Sequence, residues 1–263
     1  MQIIVTVKQV PDPDIPPSHF KVDEAANRVV PPAGVAPVMN GYDANALEAA
    51  LRLKEKHGGK VTVLTLGGTE ARDTLKRAIA MGADGAVLVD DPALRDGDSY
   101  TTATALARAI QKIGEYDLIL SGRQASDTDA GQVPLGVAEL LGVPAVSPVI
   151  AIEQTGSDVR VHRMTEDGYQ VLDVPLPAVV AVSSEIGEPR YPPLRGIMAA
   201  GRAQIPVWTA ADLGLDPVSV GRRSTLRRLY VEQREAKVEL IQADSPTEAG
   251  VALADKLREA KLI

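Results

Sequence analysis

The chain has no cysteine, which excludes disulfides, thiolate nucleophiles and thiolate-ligated metals. Its three histidines, His19, His57 and His162, are far apart in sequence, so no histidine-rich metal site is expected. Aromatic residues are scarce. One Trp, one Phe and six Tyr supply few stacking platforms for a planar ligand. A ring system held here must be gripped by backbone and polar groups, or shared with another chain. No apolar run approaches the ~18 residues of a membrane span. Basic residues are outnumbered, 28 against 35 acidic ones for a net charge of −7, which argues against general nucleic-acid or anionic-membrane binding. The opening MQIIVTVKQV lacks the basic and long apolar regions of a secretion signal and reads as a first strand. A cytoplasmic protein without direct membrane insertion is the expectation. The sequence also lacks G-x-G-x-x-G, a Walker A loop and G-x-S-x-G. No nucleophile–base pair can be assembled, so no catalytic residue is assigned, and the chain reads as a binder or carrier.

What is present is an alternation of apolar runs and helical patterns. Of 263 residues, 45% are hydrophobic, enough for a substantial core. Strands are predicted at 3–7, 60–67, 85–90 and 116–122, and helices at 42–59, 69–83, 98–114 and from the turn after residue 122 to Leu141. Asp98 or Ser99 is the expected N-cap of the 98–114 helix. Strands alternating with helices of this length predict right-handed βαβ units and a mostly parallel, doubly wound α/β sheet. After about Gly142 the pattern becomes β-rich and returns an apolar strand at 178–182. Residues 9–40 hold seven prolines and form a loop long enough to suggest a functional or interfacial role. Near the end, Ser245, Pro246 and Glu248 form a capping box ahead of one amphipathic helix.

In open α/β sheets ligands sit at the carboxyl ends of the strands, near a switch in strand order. Four segments should gather there. The first strand contributes Thr6 and Lys8, the first helix begins at Asn40, Gly41, Tyr42 and Asp43, and the next strand ends at Leu66 and Gly67. The fourth is a polar turn: Gly122, Arg123, Gln124, Ala125, Ser126, Asp127, Thr128, Asp129, Ala130, Gly131, Gln132 and Val133. Its cation, its hydroxyls and the following helix start suit the ribose and phosphates of an adenine nucleotide. Equally, it reads as an Asp-capped turn with solvent-facing neighbours. For Asp127 and Asp129, capping is the commoner role than acid–base or cation chemistry. Arg222, Arg223, Arg227, Arg228 and Arg234 read as a solvated, ion-paired surface. Within 188–198, Leu194, Ile197 and Met198 sit among Pro, Gly and Arg. They form either a loop tucked onto the domain or an exposed anchor for a partner.

Several long motifs, in order, resemble the β subunit of electron transfer flavoproteins: IIVTVKQVPD, VMNGYDANALEAALRLKE, AMGAD, DLILSGRQASDTDAGQV, EPRYPPLRGIM and the capped C-terminal helix. The resemblance covers nearly the whole chain. It implies a three-layer fold of the adenine-nucleotide α-hydrolase type with a C-terminal arm. Residues 1–183 would be the nucleotide-binding domain and 184–205 the loop that recognises a dehydrogenase, with Leu194 inserted into that partner. Residues 206–263 would be an arm packing on an α subunit. It further implies a heterodimer whose FAD lies mainly on the α subunit, with structural AMP on Thr6, Asn40 to Asp43, Leu66 and the 122–133 turn. Electrons would pass from dehydrogenases, such as acyl-CoA dehydrogenases, to a quinone reductase or another acceptor. In a second group of the family, a whole FAD replaces AMP and NADH is the donor. DTDAGQV and GDSYTTAT resemble that group, whereas EPRYPPLRGIM and STLRRLYVEQ resemble the first. The Pro-rich stretch at 13–17 matches neither. A nucleotide-binding sensor resembling universal stress proteins is the remaining reading; it lacks their glycine-rich phosphate loop.

Overall fold

Apolar runs that alternate with amphipathic stretches fold into one sheet covered on both faces. The computed structural model describes residues 1–95, 97–216, 218–232 and 238–263. Among them the main sheet has nine strands. They are β1 (Gln2–Thr6), β2 (Lys60–Leu66), β3 (Gly85–Val89), β4 (Leu118–Gly122) and β5 (Ala145–Thr155), then β6 (Asp158–Thr165), β7 (Gly168–Pro175), β8 (Ala178–Val182) and β9 (Val207–Trp208). Their order is β7-β6-β5-β8-β4-β1-β2-β3-β9. From β5 to β9 every pair is parallel, whereas β5, β6 and β7 form an antiparallel meander. The longer helices are α1 (Gly41–His57), α2 (Arg72–Met81), α3 (Ser99–Ile113), α4 (Val133–Leu141), α5 (Leu194–Arg202) and α6 (Pro246–Glu259), with one further short helix at Pro92–Arg95.

The two-residue period of the strands sorts the core into two layers. Ile3 and Val5 of β1, Leu118 and Leu120 of β4 and Val180 of β8 face Leu47 and Leu51 of α1 and Leu75 of α2. Ile4, Ile119 and Val179, one residue out of phase, face Leu106 and Ile110 of α3 and Val137 of α4. The chain steps outward from β1 to β2 and β3, then returns to lay β4 on the other side of β1. That reversal puts the switch point between the carboxyl ends of β1 and β4.

The predicted elements are recovered with small shifts; residues 69–71, expected as helix, form a 3-10 turn ahead of α2. The expected loop at 184–205 instead contains α5. Pro193 is its extended N-cap, and the helix begins directly after it. Gly196 lets α5 lie against α2, because a Cβ there would run into the Ala80 carbonyl. The packed body also continues past residue 205. β9 pairs with β3, and Ala210, Leu213, Leu215 and Val220 enter the core. The 9–40 segment is not all loop: Lys21–Asp23 pairs with Arg28–Val30, and Gln9–Val10 with Val38–Met39. Ser245 caps α6 by accepting from the Glu248 amide at 3.2 Å, and no residue of α6 is buried.

Asp98 ties the beginning of the arm to the body. Its Oδ1 accepts from the amides of Tyr100 and Thr101, both at 3.1 Å, as the N-cap of α3. Its Oδ2 accepts from the amides of Arg223 at 2.6 Å and Ser224 at 2.7 Å. Burial acts to raise its pKa, but these amides outweigh it and hold the carboxyl well below the usual range. Asp98→Ala removes the cap and the tether together, at least ~1 kcal/mol. Tryptic cleavage within 222–228 should then accelerate about fivefold, as that energy implies for local opening. An unchanged cleavage rate would show that the arm is held elsewhere.

Candidate functional site

The switch point is built around one buried carboxylate. Asp43, in the first turn of α1, accepts from the Lys8 amide at 2.7 Å and the Gly122 amide at 3.0 Å. It thereby joins the ends of β1 and β4. Burial pushes its carboxyl from the ordinary 3.8 up to about 7, against the lowering effect of those amides, Asn40 and the Lys8 charge. Thr6 and Ser121 close the same seam, with their hydroxyls 2.5 Å apart. Gly122 admits no side chain: a Cβ would come 2.5 Å from Asp43 Oδ1 and 2.6 Å from Tyr42 Cβ. Asn40 precedes α1 without capping it. Its side chain instead pins the polar turn, donating to the Gln124 carbonyl at 2.9 Å and accepting from the Ser126 amide at 3.1 Å.

The turn is then shaped from within. The amides of Thr128 and Asp129 both donate to the Ala125 carbonyl, at 3.2 and 2.8 Å. Asp129 has φ of 47° and Gly131 of 62°; Asp is among the non-glycine residues that tolerate this region. Gln124 Nε2 donates to Asp129 Oδ1 at 2.8 Å. Arg123 donates to the Ser183 hydroxyl at 3.4 Å and lies 5.2 Å from the centre of the Tyr42 ring. Lys8 Nζ pairs with Asp127 at 2.7 Å. The capping reading is overturned: the N-cap of α4 is Gln132, without a side-chain bond, and Asp127 and Asp129 bond elsewhere. At the start of α4 only Val133 and Leu135 carry amides without an i−4 carbonyl: Pro134 has no N–H, and the Gly136 amide donates to the Gln132 carbonyl at 2.9 Å.

Thr6, Lys8, Asn40, Tyr42, Asp43 and residues 122–133 are therefore brought to one edge. Gly41 begins α1, and Ala130 lies exposed on the turn. Leu66 ends β2 and Gly67 follows it; β2 lies on the far side of β1 from β4, so they border the cradle rather than build it. Sequence reasoning missed Ser121 and Ser183, both buried. Their signal was position alone, as the small polar residues closing two apolar strands. Chemically the site offers the Arg123 and Lys8 cations, exposed Ser126 and Thr128 and the start of a helix. That set fits a phosphorylated, hydroxyl-rich ligand. Among the described residues no group of His, Asp and Glu could hold a metal ion.

A second constellation lies along α1. Glu48 is buried in the middle of that helix and accepts from Arg190 Nε at 2.8 Å and from the Arg190 amide at 3.1 Å. Arg52 Nε also donates to Glu48, at 2.7 Å. Arg190 additionally pairs with Glu55, and Asn45 Nδ2 donates to the Gly187 carbonyl at 2.7 Å. Burial alone would raise the Glu48 carboxyl; its bonds to Arg190 and Arg52 hold it below the usual range. This clamp fixes the strap that leads into α5. Beyond it, Tyr191 is 90% exposed, Leu194 74%, Met198 58% and Ile197 53%, an apolar face that the described residues leave uncovered. Of the arginine group, Arg228 pairs with Glu24 at 3.1 Å and Arg223 lies 4.7 Å from the Tyr100 ring centre. Arg234 lies outside the described residues.

Fold and site together define an open, doubly wound α/β protein with a polar cradle at its switch point. Residues 29–213 match the family model of the electron transfer flavoprotein domain. An electron transfer flavoprotein subunit beta of Thermoanaerobacterium thermosaccharolyticum is 40% identical over 86% of this chain and 85% of its own. Subunit CarD of the caffeyl-CoA reductase-Etf complex of Acetobacterium woodii is 36% identical over the full length of both chains. Protein FixA of Azorhizobium caulinodans is 35% identical over 90% of this chain and 86% of its own. The chain belongs to the electron transfer flavoprotein family, as a β subunit. Among the described residues no helix is long and apolar enough to cross a membrane.

Proposed function

We propose that this chain is the β half of a heterodimeric cytoplasmic electron carrier that holds AMP structurally in the 122–133 cradle. The carrier would receive electrons from dehydrogenases, such as acyl-CoA dehydrogenases, and deliver them to a quinone reductase or another acceptor. The cradle at the switch point carries this reading. It offers cations, hydroxyls and helix-start amides, with no nucleophile–base pair beside them. Flavin bound mainly by the α subunit supplies the redox chemistry. Arg123, Ser126, Thr128 and the start of α4 would hold the adenylate's phosphate and ribose. The exposed face of α5 would meet the dehydrogenase, and the unburied α6 would pack on the α subunit.

Nucleotide analysis of the co-purified heterodimer tests this. One FAD and one AMP per heterodimer is the expected result. Two FAD and no AMP would replace it with the second reading, in which this chain holds its own FAD and NADH is the donor. The end-to-end match to a subunit of a reductase–Etf complex favours keeping that reading in view. Leu194→Ala should separately slow electron transfer from the dehydrogenase about tenfold, as loss of a ~1–3 kcal/mol apolar anchor implies. Flavin content should stay intact; loss of flavin, or an unchanged rate, would remove Leu194 from the docking face.

A further inference from the structure

The pair between Lys8 and Asp127 bridges the end of β1 and the polar turn, 119 residues apart in sequence. Both Asp127 oxygens receive the Lys8 ammonium at 2.7 Å. The pair is not needed to hold the turn. Asn40 already pins it at Gln124 and Ser126, and Ala125 closes it from within. Nor is it a strong staple: the side chains are 43% and 24% exposed, a setting in which ion pairs contribute little. The Lys8 backbone, in contrast, is fixed, its amide on Asp43 and its carbonyl on the Asn40 amide at 2.9 Å. Only the flexible stem and the carboxylate have to move for the pair to open. Arg123, the other cation at the cradle, is engaged by Ser183 and Tyr42.

We propose that Asp127 is an internal stand-in for the ligand's phosphate, occupying Lys8 until a nucleotide 5′-phosphate displaces it. This rests on reading the cradle as an adenylate site. A phosphate offers Lys8 more negative charge and more acceptor oxygens than a carboxylate does, so the exchange favours the phosphate. An entering phosphate also meets the Asp127 charge, which repels it until Asp127 swings out. An unphosphorylated nucleoside gains nothing from opening the pair. The latch therefore narrows the preference for nucleotide over nucleoside: it lowers apparent nucleotide affinity by the fraction of molecules in which it is closed and leaves that of the nucleoside unchanged.

Calorimetric titration of the nucleotide-depleted heterodimer with AMP, FAD and adenosine tests this. Asp127→Asn should tighten AMP about two- to fivefold, the scale of an exposed pair, with adenosine unchanged. Lys8→Gln should weaken AMP about tenfold, as loss of a charged hydrogen bond implies. In the double variant Asp127→Asn should have no further effect. Lys8→Arg keeps the pair and serves if Lys8→Gln does not fold; its AMP affinity should stay within about threefold of wild type. Tightening seen with AMP assigns the displacing group to a terminal monophosphate; tightening seen with FAD alone assigns it to a dinucleotide. Weaker AMP binding by Asp127→Asn, with Lys8→Gln silent, would overturn the latch and make Asp127 a direct ligand contact. If wild type binds neither AMP nor FAD, the adenylate reading itself fails, whatever the variants do.

Discussion

Asp43→Ala is expected to be among the most damaging single substitutions in this chain, at about 4 kcal/mol. It strands the Lys8 and Gly122 amides in a buried setting, each at a cost of ~1–3 kcal/mol. For a chain of this size the melting temperature should fall by about 8–16 °C. The cradle should be lost with it, because Asp43 joins the two strand ends that frame the turn. Asp43→Asn separates packing from charge. It keeps a carbonyl for one amide, turns an NH2 against the other, and no longer titrates. The sign of the pH dependence follows from the folded pKa of about 7, raised above 3.8. The proton on Asp43 contributes stability that is fully present below about pH 4 and is lost as pH rises through 7. Across that window the folded state holds the extra proton, so stability should fall by up to ~1.4 kcal/mol per pH unit from this group. Above about pH 8 its slope should vanish. Urea unfolding of wild type and Asp43→Asn between pH 5 and 8 would show the slope in the first and its loss in the second. Equal slopes would mean that the two amides and Lys8 keep Asp43 ionised throughout.

The role of Asp43 shows where the sequence stopped being legible. The parallel core could be read because each strand is a run of apolar residues with a helix-period stretch after it. Those signals are local, and they placed β1, β2, β3 and β4 within a residue or two. Their ends at one edge then followed from the rule for open sheets, so the cradle segments could be gathered from the sequence alone. What local pattern could not give was pairing across long separations. Asp43 looked like an acidic residue in a first helical turn. Nothing nearby said that it accepts from amides 35 and 79 residues away. Asp127 and Asp129 looked like caps because Asp before a helix usually is one; Gln132 took the cap and freed both for other partners. The helix α5 was hidden by Pro189, Pro192 and Pro193 before it and by Gly196 and Gly201 within it. Its apolar spacing at 194, 197 and 198 was the available signal. Glu48 offered another: a lone carboxylate in the otherwise apolar ALEAAL stretch of α1 demands a buried cation, although the sequence does not say which.

That cation is chiefly Arg190, and Arg190→Met should show what the clamp does. The variant leaves the buried Glu48 with Arg52 alone and deprives Glu55 of its partner. Removing one member of a buried, hydrogen-bonded charge pair costs ~2–5 kcal/mol. The remaining Arg52 bond places the expectation near ~2–3 kcal/mol, or a fall of about 4–12 °C in melting temperature. Adding Glu48→Gln should recover roughly half of that loss, because no carboxylate is then left buried without its cation. A double variant as unstable as the sum of the singles would mean that Arg190 acts by packing its stem rather than by charge. The functional consequence is directional. Arg190 holds the strap at Glu48 and Glu55, beyond the first turn of α1, and the strap leads straight into Tyr191 and the exposed face of α5, whereas Asn40 and Asp43 frame the 122–133 turn at the start of α1. On the docking role proposed for α5, loosening the strap should slow electron transfer from a dehydrogenase, with the deficit in KM rather than kcat, while nucleotide content stays at the wild-type level. Arg190→Lys, which restores a charge but not the fork, should rescue stability more than docking, since a point cation can neutralise Glu48 without fixing the strap's orientation. Nucleotide lost together with docking would instead show that α1 moves as one rigid body, coupling cradle and docking face.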